Sequence, residues 1–260
     1  MSYKFIQMSD PQLGFYASRH PETEGIDFEI KNLSKAIEIT NKISPDFVIT
    51  TGDLMQDRLA SNHVDIIKKM YSDLNCKYYF APGNADLTNN PEFDDIERYK
   101  KRFGLDHQSF YHMNSQFIIL NSCVLQDWSK VSGEDSKQIK FLDYQLQNSK
   151  KNKSLHKFIF MHHPLFGTNP EEEDGHMVLP KVQRKLILNL LDLYKVSAVF
   201  TGHWHANNIL NYKNTQLITS GPITFSLGED PPGIRLIEVC LLYTSPSPRD
   251  QRGSRMASSA

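Results

Sequence analysis

The sequence predicts an α/β layered domain, and three observations carry that prediction. Short apolar segments of strand length alternate with longer segments of helical spacing. Five of the strand-like segments run directly into a polar cluster: Asp10/Gln12, Asp53, Asn84, His162 and His203/His205. The chain has 260 residues, of which 39% are hydrophobic and 23% charged. That is enough for one large core and ordinary for a globular protein.

Tyr3 to Met8 alternates and reads as a strand that ends at Ser9-Asp10-Pro11. Ile30, Leu33, Ala36, Ile37 and Ile43 give Phe28 to Ile43 a helical period, ended by Pro45. Asp46 to Thr51 is a short apolar strand followed at once by Gly52-Asp53. Val64 to Leu74 returns to helical spacing, and Lys77 to Ala81 is a strand closing on Pro82-Gly83-Asn84. Pro91 to Phe103 reads as a helix with proline in its first turn. Two short strands follow, near Ser109 to His112 and Gln116 to Asn121, then a helix over Asp135 to Ser149. Lys157 to Met161 is a strand ending in His162-His163-Pro164, Pro180 to Tyr194 is helical, and Val196 to Thr201 is a strand ending in Gly202-His203. Asn207 to Asn211, Thr215 to Ser220 and Ile234 to Val239 read as further strands. The order favours parallel pairing early and antiparallel pairing late.

Bulk properties exclude several classes. A formal net charge of −1 offers no global field for nucleic acid or an anionic membrane. No apolar run reaches the ~18 residues of a spanning helix, and the N-terminal segment lacks the basic head and apolar stretch of a signal peptide. Cys76, Cys123 and Cys240 are widely spaced with no CxxC, which fits thiols in a reducing, cytoplasmic setting. The composition shifts abruptly at the C-terminus to Ser, Pro and Arg. Cys240 to Asp250 reads as the translation of a transposase-type sequencing adapter, and Ser254 to Ala260 resembles its continuation. The expected organisation is therefore a domain over 1–239 with a non-native or disordered tail over 240–260.

In open α/β sheets, ligands bind outside the carboxyl ends of the strands, so residues far apart in sequence converge there. The five clusters stand one or two residues past their strands, where convergence would place them. Asp, Asn and His are oxygen and imidazole ligands suited to Mn, Fe, Zn or Mg, and no thiolate is among them. Asp10-x-Gln12 and His203-x-His205 have i, i+2 spacing, which on extended backbone turns both side chains the same way.

The series DPQLG, TGDLMQD, PGNAD, MHHPLF and TGHWHAN resembles the calcineurin-like metallophosphoesterase superfamily, with the pattern D-x-H, G-D, G-N-H-D, H and G-H-x-H. The DPQ form is similar to calcineurin-like phosphoesterase domain-containing proteins, a branch associated with serine/threonine phosphatase activity. The segment SLGEDPPGIRLIEV resembles that branch too, and the likeness extends from Met1 to about Val239. The resemblance implies a four-layer α/β/β/α sandwich with two mixed β-sheets. It implies one divalent metal on Asp10, Gln12, Asp53 and His205, and a second on Asp53, Asn84, His162 and His203, with Asp53 bridging. Asp53, Asn84, Asp86 and His163 are the candidates for direct roles in catalysis, His163 being also readable as a helper or packing residue.

Two metals roughly 3.5–4 Å apart acidify a water between them and clamp the oxygens of an in-line displacement. The expected reaction is hydrolysis of a phosphomonoester or phosphoprotein; a cyclic-nucleotide or other phosphodiesterase is the alternative on the same site. Two departures stand out. Gln12 occupies a position where most of the superfamily has histidine, which weakens one metal site. Ala85 replaces the histidine of G-N-H-D that contacts phosphate and protonates the leaving group, an assistance worth ~10²–10⁴-fold. Asp86 thereby loses the imidazole it would orient, and His163 could substitute. The expectation is a slow enzyme or one limited to good leaving groups, with a catalytically weakened metal-binding protein as the non-enzymatic reading. No nucleic-acid or membrane partner is expected.

Overall fold

The structure is a computed structural model and describes residues 2–22 and 25–240. Two sheets form. The first has the order β10-β1-β2-β3, built from Arg235–Cys240, Ser2–Met8, Phe47–Thr51 and Lys77–Ala81. The second has the order β4-β5-β6-β7-β9-β8, built from Gln108–His112, Ser115–Ile119, His156–Phe160, Ala198–Thr201, Thr215–Thr219 and Asn208–Tyr212. β1, β2 and β3 pair in parallel, with Phe5 opposite Phe47 and Thr51 opposite Ala81. Parallel neighbours need crossovers, and α2 (Asp27–Ile43) and α3 (Ser61–Tyr71) supply them. β5, β6, β7 and β9 are likewise parallel, while β10, β4 and β8 pair antiparallel.

The two-residue period of each strand sorts its side chains into three cores. Ile6 and Met8 turn toward α2 and α3, where they meet Leu33, Ile37, Val48, Ile67 and Tyr71. Tyr3, Phe5, Phe47 and Ile49 turn the other way, onto Phe117, Phe158, Phe160 and Phe200 of the second sheet. The opposite face of that sheet packs Ile118, Ile159 and Val199 against Leu142 and Leu146 of α6 (Glu134–Lys151) and Ile187 and Leu191 of α7 (Lys181–Tyr194). The layers are thus helix, sheet, sheet, helix, the expected four-layer sandwich. β2 is buried along its whole length because it has a strand on each side and a layer on each face. Aromatic rings fill the inter-sheet space: Phe5 stacks on Phe47 at 5.5 Å and meets Phe117 edge-on at 5.4 Å.

Most boundaries differ from expectation by one to three residues, where polar first turns carry no periodicity. α4 is an instructive case. It runs Phe93–Phe103 rather than starting at Pro91, because extended Glu92 is its N-cap and forms a reciprocal capping box with Asp95. Two short helices, α1 (Phe15–Arg19) and α5 (Cys123–Gln126), give no sequence period at all. Cys240 closes β10 opposite Ser2, on an outer strand of its sheet. The rest of the expected tail, 241–260, lies outside the described residues.

Candidate active site

The parallel strands of both sheets end on one side, and the loops that follow β1, β2, β3, β6 and β7 meet there. Backbone hydrogen bonds zip these loops together: Asp10 N–H donates to Gly52 O, Gln12 N–H to Asp53 O, and Gly202 N–H to His162 O, at 2.9 to 3.2 Å. The turns are severe. Asp10, Gln12, Asp53, His203 and His205 all hold positive φ, between 36° and 75°, where L-residues are disfavoured. Backbone strain of this kind persists only where surrounding structure enforces it, and it clusters at functional sites. Close approach is enforced at two glycines. A Cβ at Gly83 would strike the Asp53 carboxylate and backbone, and one at Gly202 would strike Ser9 Oγ and Asp10 Oδ2.

The histidines show which atoms face the centre. His162 Nδ1–H donates to Thr51 O at 2.8 Å, so Nε2 carries the lone pair. His203 Nε2–H donates to His176 O at 3.0 Å, which leaves Nδ1 as its acceptor. His205 Nδ1–H donates to Phe225 O at 2.7 Å, leaving Nε2. Each imidazole is thereby locked in one tautomer by a backbone carbonyl, the arrangement that orients metal-binding histidines. Burial holds all three below the ordinary histidine range, His203 down to about 4, so they are neutral at neutral pH.

The free lone pairs converge without a proton between them. His162 Nε2 stands 2.9 Å from Asn84 Oδ1, 3.1 Å from His203 Nδ1 and 3.4 Å from Asp53 Oδ1. Asp53, His162 and His203 each bring a ligand atom within 4.8 Å of the others. With Asp53 ionised, four acceptors with no donor among them repel one another; that repulsion is relieved by a proton on Asp53 or by a bound cation, and the raised Asp53 pKa expresses it. A second set lies beside the first. Asp10 Oδ1 is 3.7 Å from His205 Nε2 and 3.9 Å from His162 Nδ1. Gln12 gives its amide N–H to Gln56 Oε1 at 2.9 Å, while its own Oε1 is buried with no partner. An orphaned buried carbonyl oxygen is expensive, and on a residue of the cleft lining it fits a metal ligand. Burial, with the charge of Asp10, pushes Asp53 well above the usual carboxylate range, and burial raises Asp10 to about 7. The residues present therefore fit oxygen- and nitrogen-ligated divalent cations.

The site opens into a cleft of about 600 Å³ lined by Gln12, Asp53, Asn84, Ala85, His203 and His205 among others. Two residues expected to act directly in catalysis do not line it. Asp86 spends Oδ1 on the N–H groups of Leu54 (2.8 Å) and Met55 (3.3 Å) and Oδ2 on that of Gly83 (3.0 Å), tying the Asp53 loop to the Asn84 loop. His163 is fully buried, its ring 4.7 Å from that of His203. Ser122 Oγ accepts the N–H groups of His162 and His163 and so donates to His163 Nδ1 at 2.9 Å. Sequence reasoning also missed a support. Arg184 of α7 is fully buried and donates to the carbonyls of Pro170, Glu172 and Leu179. It fixes the loop whose His176 O holds His203 and whose Met177 O accepts Trp204 Nε1–H at 2.7 Å. In sequence it is one more polar residue of an amphipathic helix.

Comparison with known proteins agrees with this geometry. Residues 3–207 match the calcineurin-like phosphoesterase family. The chain is similar to the serine/threonine-protein phosphatase CPPED1 of Rattus norvegicus, 29% identical over 250 residues, covering 91% of this chain and 80% of that protein. The Homo sapiens CPPED1 is 28% identical over 251 residues with the same coverage. Among solved structures, a dimetal phosphatase from Danio rerio superposes with a TM-score of 0.71 at 14% identity, covering 90% of this chain and 91% of that one. A purple acid phosphatase from yellow lupin gives 0.67 at 17% identity, covering 89% of this chain and 46% of that one. These structural likenesses bear on the fold.

Proposed function

The chain belongs to the calcineurin-like phosphoesterase family and is a hydrolase of phosphoester bonds, and from that premise we propose a binuclear phosphomonoesterase acting on phosphorylated serine or threonine. Asp10, Gln12, Asp53 and His205 would hold one divalent ion, and Asp53, Asn84, His162 and His203 the other, Asp53 serving both. When bound, the pair supplies an acidified water and the positive charge that stabilises an in-line phosphoryl transfer. The single observation that carries the reading is the donor-free convergence of lone pairs from His162, His203, Asn84 and Asp53.

The chain's own residues then divide their tasks. His162, His203 and His205 stay neutral and oriented through Thr51, His176 and Phe225. Asp53 Oδ1 is held by the Ala85 N–H at 2.8 Å, which fixes the carboxylate between the two ligand sets. Asp86 and His163 act as positioning residues, since one is consumed by backbone N–H groups and the other lies behind His203. Ala85 lines the cleft without a proton to give, so solvent must protonate the leaving group and esters with poor leaving groups turn over slowly. A cytoplasmic setting belongs to the same proposal: the three cysteines are free, and no helix among the described residues is long and apolar enough to cross a membrane.

The test is release of p-nitrophenol from its phosphate monoester and from a phosphodiester by metal-stripped protein, with and without added Mn²⁺. Metal-dependent monoester turnover that exceeds diester turnover supports the proposal. A reversed ratio favours a phosphodiesterase. A folded protein that binds two metals and turns over neither ester would be a catalytically weakened metal-binding protein, with Ala85 as the cause.

A further inference from the structure

The wall of the cleft beside His205 carries a cation that none of these assignments uses. It sits on α1, the five-residue helix that leaves the Asp10–Gln12 loop. Glu29 of α2 is fully buried and its Oε1 accepts the N–H groups of Gly14 (3.0 Å) and Ala17 (3.1 Å), anchoring the start of this helix. Phe15 at its first turn packs on His205, ring centroids 4.7 Å apart. Arg19 at its end lies over the other ring, its guanidinium carbon 4.4 Å from the Phe15 centroid. The Phe15 ring thus touches both His205 and the Arg19 guanidinium, and Arg19 stays on the cleft lining with His205.

No carboxylate among the described residues pairs with Arg19. The other arginine on the lining, Arg58, is engaged by Asp95 at 3.3 Å. An exposed but preorganised guanidinium offers a planar fork of donors suited to a carboxylate or phosphate. Its contact is with the Phe15 ring and with none of the atoms gathered around Asp53, so it is available to a part of the substrate other than the phosphoryl group. An extended chain advances roughly 3.3 Å per residue, so the residues flanking a phosphorylated one in the cleft run along the same lining that carries Arg19. The cleft rim adds apolar surface at Met177 and Leu227, both exposed, which suits a peptide rather than a small metabolite.

We propose that Arg19 is a specificity-determining residue that binds an acidic side chain flanking the phosphorylated residue, so that the cleft selects acidic phosphopeptides. This rests on the phosphomonoesterase reading above.

The test uses the full chain loaded with Mn²⁺, wild type and Arg19→Gln, and three fluorescently labelled phosphothreonine peptides that differ only in whether Glu, Gln or Lys flanks the phosphoresidue. Phosphate release gives kcat/KM and fluorescence anisotropy gives affinity. Wild type is expected to prefer the Glu peptide over the Gln peptide on the order of tenfold, with the preference shrinking as salt rises. Arg19→Gln is expected to bring the ratio near one, and Arg19→Glu to turn it toward the Lys peptide. A wild-type ratio near one, or a ratio that Arg19→Gln leaves intact, overturns the proposal. If wild type cleaves no peptide, the phosphatase reading fails by itself. Anisotropy then still decides the subsite: a Glu-over-Gln preference lost in Arg19→Gln upholds it, and equal binding rejects it. Should Arg19→Gln fold poorly, Arg19→Lys, which keeps the charge and loses the fork, is expected to retain only part of the preference.

Discussion

The two sheets contribute unlike halves to one centre. The first gives oxygen: Asp10, Gln12, Asp53 and Asn84 follow β1, β2 and β3. The second gives imidazole: His162, His203 and His205 follow β6 and β7. The oxygen half resists ionising without a cation, with Asp10 and Asp53 both raised by burial. The imidazole half is neutral and fixed in direction, each ring tied by one N–H to a backbone carbonyl. On the proposed metal centre, charge for binding cations comes from one sheet and geometry from the other, so a substitution should fail differently depending on its side.

The sharpest break is on the oxygen side. Asp53→Asn removes the carboxylate that the proposal gives to both ligand sets and is expected to lower metal-dependent turnover by more than about a hundredfold, with loss of one bound metal by elemental analysis. Retention of two metals and full turnover would deny Asp53 its central place.

Ala85→His tests the gap between the halves. If the missing proton donor limits rate, turnover of an alkyl phosphate should rise by up to about 10²-fold, while p-nitrophenyl phosphate changes little. Equal effects on both esters would place the limit elsewhere.

On the imidazole side the supports should matter nearly as much as the ligands. Arg184→Met leaves three loop carbonyls without their buried donor and frees the segment that holds His203. Metal affinity is expected to fall about 10–100-fold, and Trp204 emission should shift as its bond to Met177 O loosens. An unshifted spectrum with normal affinity would show the loop to be held by other contacts.

The smallest effect is a pH slope. A cation must displace the proton that burial keeps on Asp10 up to about pH 7. His203 gives up its proton near pH 4, so the imidazole half adds no slope above neutrality. Affinity for Mn²⁺ should therefore rise between pH 6 and 8, the gain from Asp10 fading above its pKa and the raised carboxyl of Asp53 adding in the same direction. A flat calorimetric profile across that range would mean that Asp10 is already ionised.

Much of the fold and of the candidate site was legible in the sequence because each proposed ligand is tied to a strand end. Asp53, Asn84, His162 and His203 follow apolar strands by two or three residues, and the sheet's geometry does the rest. What escaped was held by partners remote in sequence. Asp86 looks like part of a catalytic motif, but its oxygens answer to Leu54, Met55 and Gly83. His163 shares a motif with His162, yet the chain reverses side between neighbours and sends it behind His203. α1 is too short to show a period, so Arg19 and Phe15 gave no sign of facing the cleft, and buried Arg184 and Glu29 are visible only once the loops they hold are in place.

The left-handed backbone at Asp10, Gln12, Asp53, His203 and His205 also orders events in time. Each of these positions costs on the order of 1 kcal/mol or more in isolation, so none forms early in an otherwise unfolded chain. The sheets can register and their phenylalanines interlock while the loops above them are still unset. The site's loops are thus expected to set after the scaffold that enforces them, so a half-made molecule would have its sheets before it has any means to act.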